Sequence, residues 1–267
     1  MKQLYFLHIP KTAGQYISKN IKESLDENNI AHHITTHFPN NNGFVNKPYI
    51  SMHAGTYPIE KVPSLDVATI VRNPIEARVS YFNFVYNKAL YNRPEYTEKS
   101  LPIEKLRYYL FEDPNFELHN NYQSRFICNP ADERSFNPMT FYKDHYEDLM
   151  YPFLKKGEAF TWFVENDHTT LENAMSQINK FKIKSTLDNI DLFKQEINSW
   201  FKDNYNVDIK FAENKINIGT ANYGDGNLMS SSELLSLLTD SEKEKIIENN
   251  YIDYSVYKHL KEIEDEK

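Results

Sequence analysis

The chain opens on an unbroken apolar run, Leu4-Tyr5-Phe6-Leu7, inside "QLYFLHI". A strand buried on both faces reads this way, and such strands belong to parallel sheets. The pattern then changes period. Tyr16-Ile17, Ile21 and Leu25 fall near 3.6-residue spacing and predict a helix over 14–29. Residues 32–47 hold a loop signal, Asn40-Asn41-Asn42-Gly43. "PYISMH", 48–53, predicts a short strand, and "SLDVATIVR", 64–72, a stronger one that stops before Pro74. From Ile75 the helical period returns. Ile75, Val79, Phe82 and Tyr86 share one face, and Glu76, Ser80, Asn83 and Asn87 the other.

Further along the signal is coarser. Residues 88–100 read as a loop insertion, and 102–127 as two shorter helices broken near Asp113-Pro114. A loop over 129–140 and a helix over 141–154 follow. "EAFTWFV", 158–164, predicts a strand, and "DHTTLENAMSQINKF" a helix with Leu171, Met175 and Ile178 inward. Residues 205–229 read as a long loop, and helices begin at Ser231, Asp240 and Asp253. Strands alternating with helices predict an α/β fold: a single domain, 1–267, with a central parallel sheet flanked by helices. Ligands of such sheets sit beyond the carboxyl ends of the strands.

With 267 residues, one large domain needs no second. The net charge of −8 argues against a broad nucleic-acid surface, though a local basic pocket stays open. The lone cysteine, Cys128, excludes an internal disulfide and a four-cysteine metal site. No stretch reads as a signal-peptide core or an integral membrane segment, so the expectation is a soluble, cytoplasmic protein.

The candidate chemistry begins just past the first strand, at Pro10-Lys11-Thr12-Ala13-Gly14-Gln15-Tyr16. Gly14 permits close backbone approach or a positive φ. Unpaired amides at the start of the next helix can cradle a phosphate, and the helix dipole favours its charge. Lys11 adds an ammonium and Thr12 a hydroxyl. The spacing is not that of a Walker A loop.

A second anion site is legible at "TIVRNPIEARVSYF", residues 69–82. Arg72 closes a strand and can offer parallel donors to a phosphate. Ser80, eight positions on, adds a hydroxyl from the next helix. Arg78 points away from Ser80 and reads as a surface or edge residue. Of nine histidines, His53 is the best placed for acid–base work, at a strand end before Ala54-Gly55. His8 reads as a structural hydrogen bonder. His33 and His37 stand at i, i+4, but no nearby ligand completes a metal site, and none is expected.

"FLHIPKTAG" resembles the first nucleotide-binding segment of sulfotransferases, in their carbohydrate (uronyl- and heparan-type) branch. Their donor is 3′-phosphoadenosine 5′-phosphosulfate (PAPS), and the product is 3′-phosphoadenosine 5′-phosphate (PAP). The resemblance implies a P-loop-like nucleotide-binding sulfotransferase fold. It implies that residues 11–16 wrap the 5′-phosphosulfate, with Lys11 near the bridging oxygen. It also implies that Arg72 and Ser80 hold the 3′-phosphate and that His53 acts on the acceptor. Gln15-Tyr16 replace the small hydroxyl pair found in many members, leaving that task to backbone amides. Glu76 and Glu60 are the alternative bases. Glu76 otherwise faces the acceptor or pairs with Arg78.

The same resemblance extends to "NNYQSRFICN", 120–129, where Arg125 touches an anionic acceptor or the donor. It also extends to "NKINIGTANYG", 214–224, as a loop closing over the nucleotide. Transfer of a sulfuryl group to a hydroxyl of a carbohydrate or glycoconjugate is therefore the expected activity. A nucleotide-dependent small-molecule kinase and a non-catalytic module for a phosphorylated ligand are the alternatives.

Overall fold

A computed structural model describes residues 1–35, 43–91, 102–112, 120–129, 168–212 and 230–267. The expected helix over 141–154, strand over 158–164 and loop over 214–224 lie outside the described residues. So do His37 and most of the expected loops over 88–100 and 129–140.

The described strands are β1 (Leu4–Leu7), β2 (His32–Ile34), β3 (Tyr49–Met52), β4 (Asp66–Val71) and β5 (Ile183–Thr186). They form one sheet in the order β2-β3-β1-β4-β5, with every pairing parallel. The described helices are α1 (Gly14–Glu27), α2 (Tyr57–Lys61), α3 (Pro74–Tyr91), α4 (Pro102–Phe111) and α5 (Tyr122–Cys128). After them come α6 (Leu171–Lys180), α7 (Ile190–Tyr205), α8 (Ser231–Ser236), α9 (Asp240–Asn249) and α10 (Tyr251–Asp265).

The apolar run of β1 has its reason in the two layers. Leu4 and Phe6 pack with Ile17, Ile21 and Leu25 of α1 and Phe193, Ile197 and Phe201 of α7. Tyr5 and Leu7 face the other way, toward Phe126 of α5, Ile178 of α6 and Val256 of α10. Alternate side chains of a strand point to opposite faces, so a strand covered on both sides must be apolar throughout.

Leaving β1, the chain runs through α1 to β2 at one edge. Leaving β4, it crosses to β5 at the other edge. The connections of these two adjacent strands therefore leave toward opposite edges, and the carboxyl ends at such a point are where α/β sheets place their ligands.

The structure corrects several expectations. β2 and β5 carry little apolar signal because they are short edge strands, where polar residues are tolerated. The polar end of β5 is satisfied by buried Glu264 of α10. Its carboxylate accepts from Ser185 Oγ at 2.6 Å and Thr186 Oγ1 at 2.8 Å.

α3 does not split into a wet and a dry face. Ala77 through Asn83 are all buried, because α4, α8, α9 and α10 pack around the helix. Arg78, expected at the surface, is only 1% exposed; burial pushes the neighbouring Asp253 carboxyl up, and the Arg78 charge offsets part of that rise. In α6 Ala174 and Ile178 are buried and Met175 packs against the core as expected, whereas Leu171 at the first turn is 38% exposed.

α5 and α10 cap one another. Asp253 accepts from the amides of Gln123 (3.2 Å) and Ser124 (2.7 Å) at the start of α5. Asn121 Oδ1 accepts from Ile252 (3.0 Å) and Asp253 (3.2 Å) at the start of α10. Each helix thus satisfies donors that its own backbone cannot. This exchange fixes Gln123 against the end of β4.

Candidate functional site

Three neighbouring strands, β3, β1 and β4, deliver His53, the Lys11 loop and Arg72 to the same edge of the sheet. Their registers align Leu7 with Met52 on one side and Thr69 on the other, so β1 and β3 end level while β4 runs two residues further, to Val71.

The first loop is left-handed twice, at Lys11 (φ 66) and Ala13 (φ 63), and not at Gly14. Gly14 is required for close approach instead. A Cβ there would stand 1.9 Å from His8 Cδ2 and 2.1 Å from His8 Nε2, so any side chain would have to displace the His8 ring. The first helical bond of α1 runs from the Ile17 amide to the Ala13 carbonyl at 3.2 Å. Among the described residues, the amides of Thr12, Ala13, Gly14, Gln15 and Tyr16 meet no acceptor. Alternating left-handed residues and a helix N-terminus both gather N–H groups toward an anion.

Thr12 is engaged within the loop. Its hydroxyl is buried and donates to the Ile9 carbonyl at 2.8 Å, so its hydrogen is committed to shaping the loop. Gln15 is exposed. Tyr16 turns away to donate to the Ala212 carbonyl at 2.6 Å, with Lys194 5.5 Å from its ring centre. The Lys11 ammonium is pushed down to about 8, first by burial and then by the neighbouring Arg72 guanidinium.

Arg72 joins the two loops. One guanidinium nitrogen, Nη1, donates to the Lys11 carbonyl at 3.3 Å, and Nε donates to Glu76 at 3.1 Å. Glu76 thus pairs with Arg72 one helical turn away rather than with Arg78, which α3 turns inward. The Arg72 Nη2 group has no acceptor among the described residues. Ser80 is buried in α3, and the Arg72 side chain makes no bond to it.

The backbone of Arg72 is held by a residue that the sequence pattern did not single out. Gln123 accepts from the Arg72 amide and donates to its carbonyl, both at 2.9 Å. This fully buried amide stands in for a neighbouring strand where β4 ends. The one signal in the sequence is a polar residue beside Tyr122, Phe126 and Ile127. Tyr122 donates from its hydroxyl to the Pro10 carbonyl at 3.2 Å, so α5 buttresses the first loop too. Arg125 is half-buried in the same helix.

His53 lies at the end of β3 with its Nδ1 2.5 Å from the His8 carbonyl oxygen. A carbonyl can only accept, so Nδ1 carries the proton. In the neutral ring Nε2 is then the basic nitrogen. The His53 ring centre is 4.0 Å from that of His8 and 6.4 Å from that of Phe126. The turn behind it is rigid. Gly55 is left-handed (φ 52), and a Cβ there would lie 2.1 Å from the Asn129 carbonyl oxygen. Tyr5 Oη donates to the Gly55 carbonyl at 2.8 Å, and the Thr56 amide donates to the Asn129 carbonyl at 2.9 Å. Glu60, the other alternative base, is exposed on α2.

Among the described residues, no group of three or more His, Cys, Asp or Glu side chains is placed to hold a metal ion. No helix among them is long and apolar enough to cross a membrane. Compared with known proteins, the chain matches no family model and no curated sequence.

Proposed function

We propose that this chain is a sulfotransferase with a P-loop-like nucleotide-binding fold. It moves a sulfuryl group from PAPS to a hydroxyl of a carbohydrate or glycoconjugate. One observation carries the proposal. Adjacent strand ends offer a base-competent imidazole at His53, an amide-lined loop with Lys11, and the guanidinium of Arg72.

These residues fit an anionic nucleotide with charge at both ends of its ribose. The unpartnered amides of residues 12–16 and the Lys11 ammonium suit the 5′ group. Arg72 Nη2, with Ser80 further along α3, suits the 3′-phosphate. The bound donor supplies an activated sulfuryl group. His53 takes the acceptor's hydroxyl proton at Nε2 while Nδ1–H stays on the His8 carbonyl, which keeps the ring in one orientation. Lys11 holds positive charge beside the oxygen on which negative charge develops. One well-placed donor of this kind stabilises a transition state by about 3 kcal/mol.

Titration calorimetry with PAP and with ATP, each with and without magnesium, tests the proposal. PAP should bind in the absence of magnesium and more tightly than ATP. Tight binding of ATP with magnesium, and none of PAP, would point to a kinase instead.

A further inference from the structure

His8 is 5% exposed, and its ring nitrogens have no hydrogen-bond partner among the described residues. Its expected role as a structural hydrogen bonder is carried by its backbone, whose carbonyl holds His53. A side chain this deeply buried ordinarily finds a hydrogen-bond partner.

The position of the ring shows what it faces. Its Cδ2–Nε2 edge fills the space where a side chain on Gly14 would begin. Cα–Cβ bonds of a helix tilt toward its N-terminus. The imidazole edge therefore stands on the side of the unpartnered amides of residues 12–16. Phe6 stacks on one side of the ring, 5.7 Å away with planes 10° apart, and His53 lies 4.0 Å away. The imidazole is thus clamped with one edge toward the amide cradle. Burial, and then the neighbouring His53, hold its pKa well below the usual histidine value, so it is a neutral donor.

We infer that His8 is an anion-binding residue of this site, donating an Nε2–H bond to the phosphoryl or sulfuryl oxygens cradled by the amides of residues 12–16. Gly14 then has a second purpose: it lets the imidazole reach the cradle through the space that a side chain would fill. The inference rests on the proposed nucleotide site for the identity of the anion, but its geometry applies to any phosphoryl or sulfuryl group bound there.

The test compares the wild type with His8→Phe and His8→Gln by calorimetry, using PAP, adenosine 3′-phosphate and inorganic pyrophosphate. Phe keeps a ring against Phe6 and His53 but has no donor, whereas Gln carries an amide N–H near the place of Nε2. His8→Phe should weaken PAP and pyrophosphate roughly ten- to hundredfold while leaving adenosine 3′-phosphate within about twofold. His8→Gln should recover most of the loss. Unchanged PAP affinity in His8→Phe would overturn the role of His8 and leave the proposed function standing. A wild type that binds pyrophosphate but not PAP would overturn the nucleotide reading, and His8 would be judged on pyrophosphate. Binding of neither would overturn both. Should His8→Phe fail to fold, ¹⁵N NMR of the wild-type imidazoles decides. The His8 ring N–H signal should move on adding pyrophosphate, and an unmoved signal contradicts the inference.

Discussion

His53 Nδ1 and the backbone carbonyl of His8 are 2.5 Å apart, which joins the exit of β3 to the exit of β1. The contact puts the proton on Nδ1 and makes Nε2 the basic nitrogen of the neutral ring. It uses a backbone oxygen, so the residue type at position 8 is free to serve another purpose.

Replacement of His53 should separate chemistry from binding. His53→Ala and His53→Asn should each lower turnover by about 10²–10⁴, the usual worth of a positioned acid–base group. PAP affinity should stay nearly unchanged in both, because the proposed role of His53 is on the acceptor. The Asn variant can still donate to the His8 carbonyl but offers no basic nitrogen. Radiolabelled sulfate transfer at saturating donor gives the rates. Near-normal turnover in His53→Asn would show that the contact with His8 matters and that the base lies elsewhere, with Glu76 and Glu60 the next to test.

Lys11 should make PAP binding depend on pH. In the free protein its ammonium is pushed down to about 8, and a bound anion favours the charged form and raises that value. The contribution of Lys11 to PAP affinity is therefore complete below about pH 8 and falls as pH rises beyond it. For folding of the free chain the sign is reversed. Between about 8 and the ordinary lysine value of 10.5 the unfolded state binds more protons, so stability rises with pH across that window. Lys11→Met should remove both slopes, read by calorimetry and by chemical denaturation. A PAP affinity that is flat from pH 7 to about 9.5 in the wild type would contradict the placement of Lys11 at the anion.

The sequence carried the strand ends and left their cross-links hidden. β1, β3 and β4 are legible because strands covered on both faces must be apolar throughout. Lys11, His53 and Arg72 follow at once, since each stands just past such a run. Arg72's ion pair with Glu76 is local, one turn of α3, yet the sequence equally allowed Glu76 to pair with Arg78. Burial of Arg78 decides it, and that burial depends on α8 and α10, which lie more than 100 residues away in the chain. Gln123 grips Arg72 across 51 residues, and no periodic pattern encodes that distance. Gly14 permits close approach or a positive φ, and the structure uses the first, since Lys11 and Ala13 are the residues that turn left-handed. The glycine itself makes room for His8.

The central claim is that the carboxyl edge of β1 and β4 holds a nucleotide by its 3′-phosphate as well as by its 5′ group. Calorimetric titration of the wild type and Arg72→Ala with PAP and with adenosine 5′-phosphate tests it most directly. The wild type should favour PAP by roughly 1.5–3 kcal/mol, the worth of a charge-assisted contact, and Arg72→Ala should erase most of that preference. Equal affinity of the wild type for the two nucleotides would contradict the account.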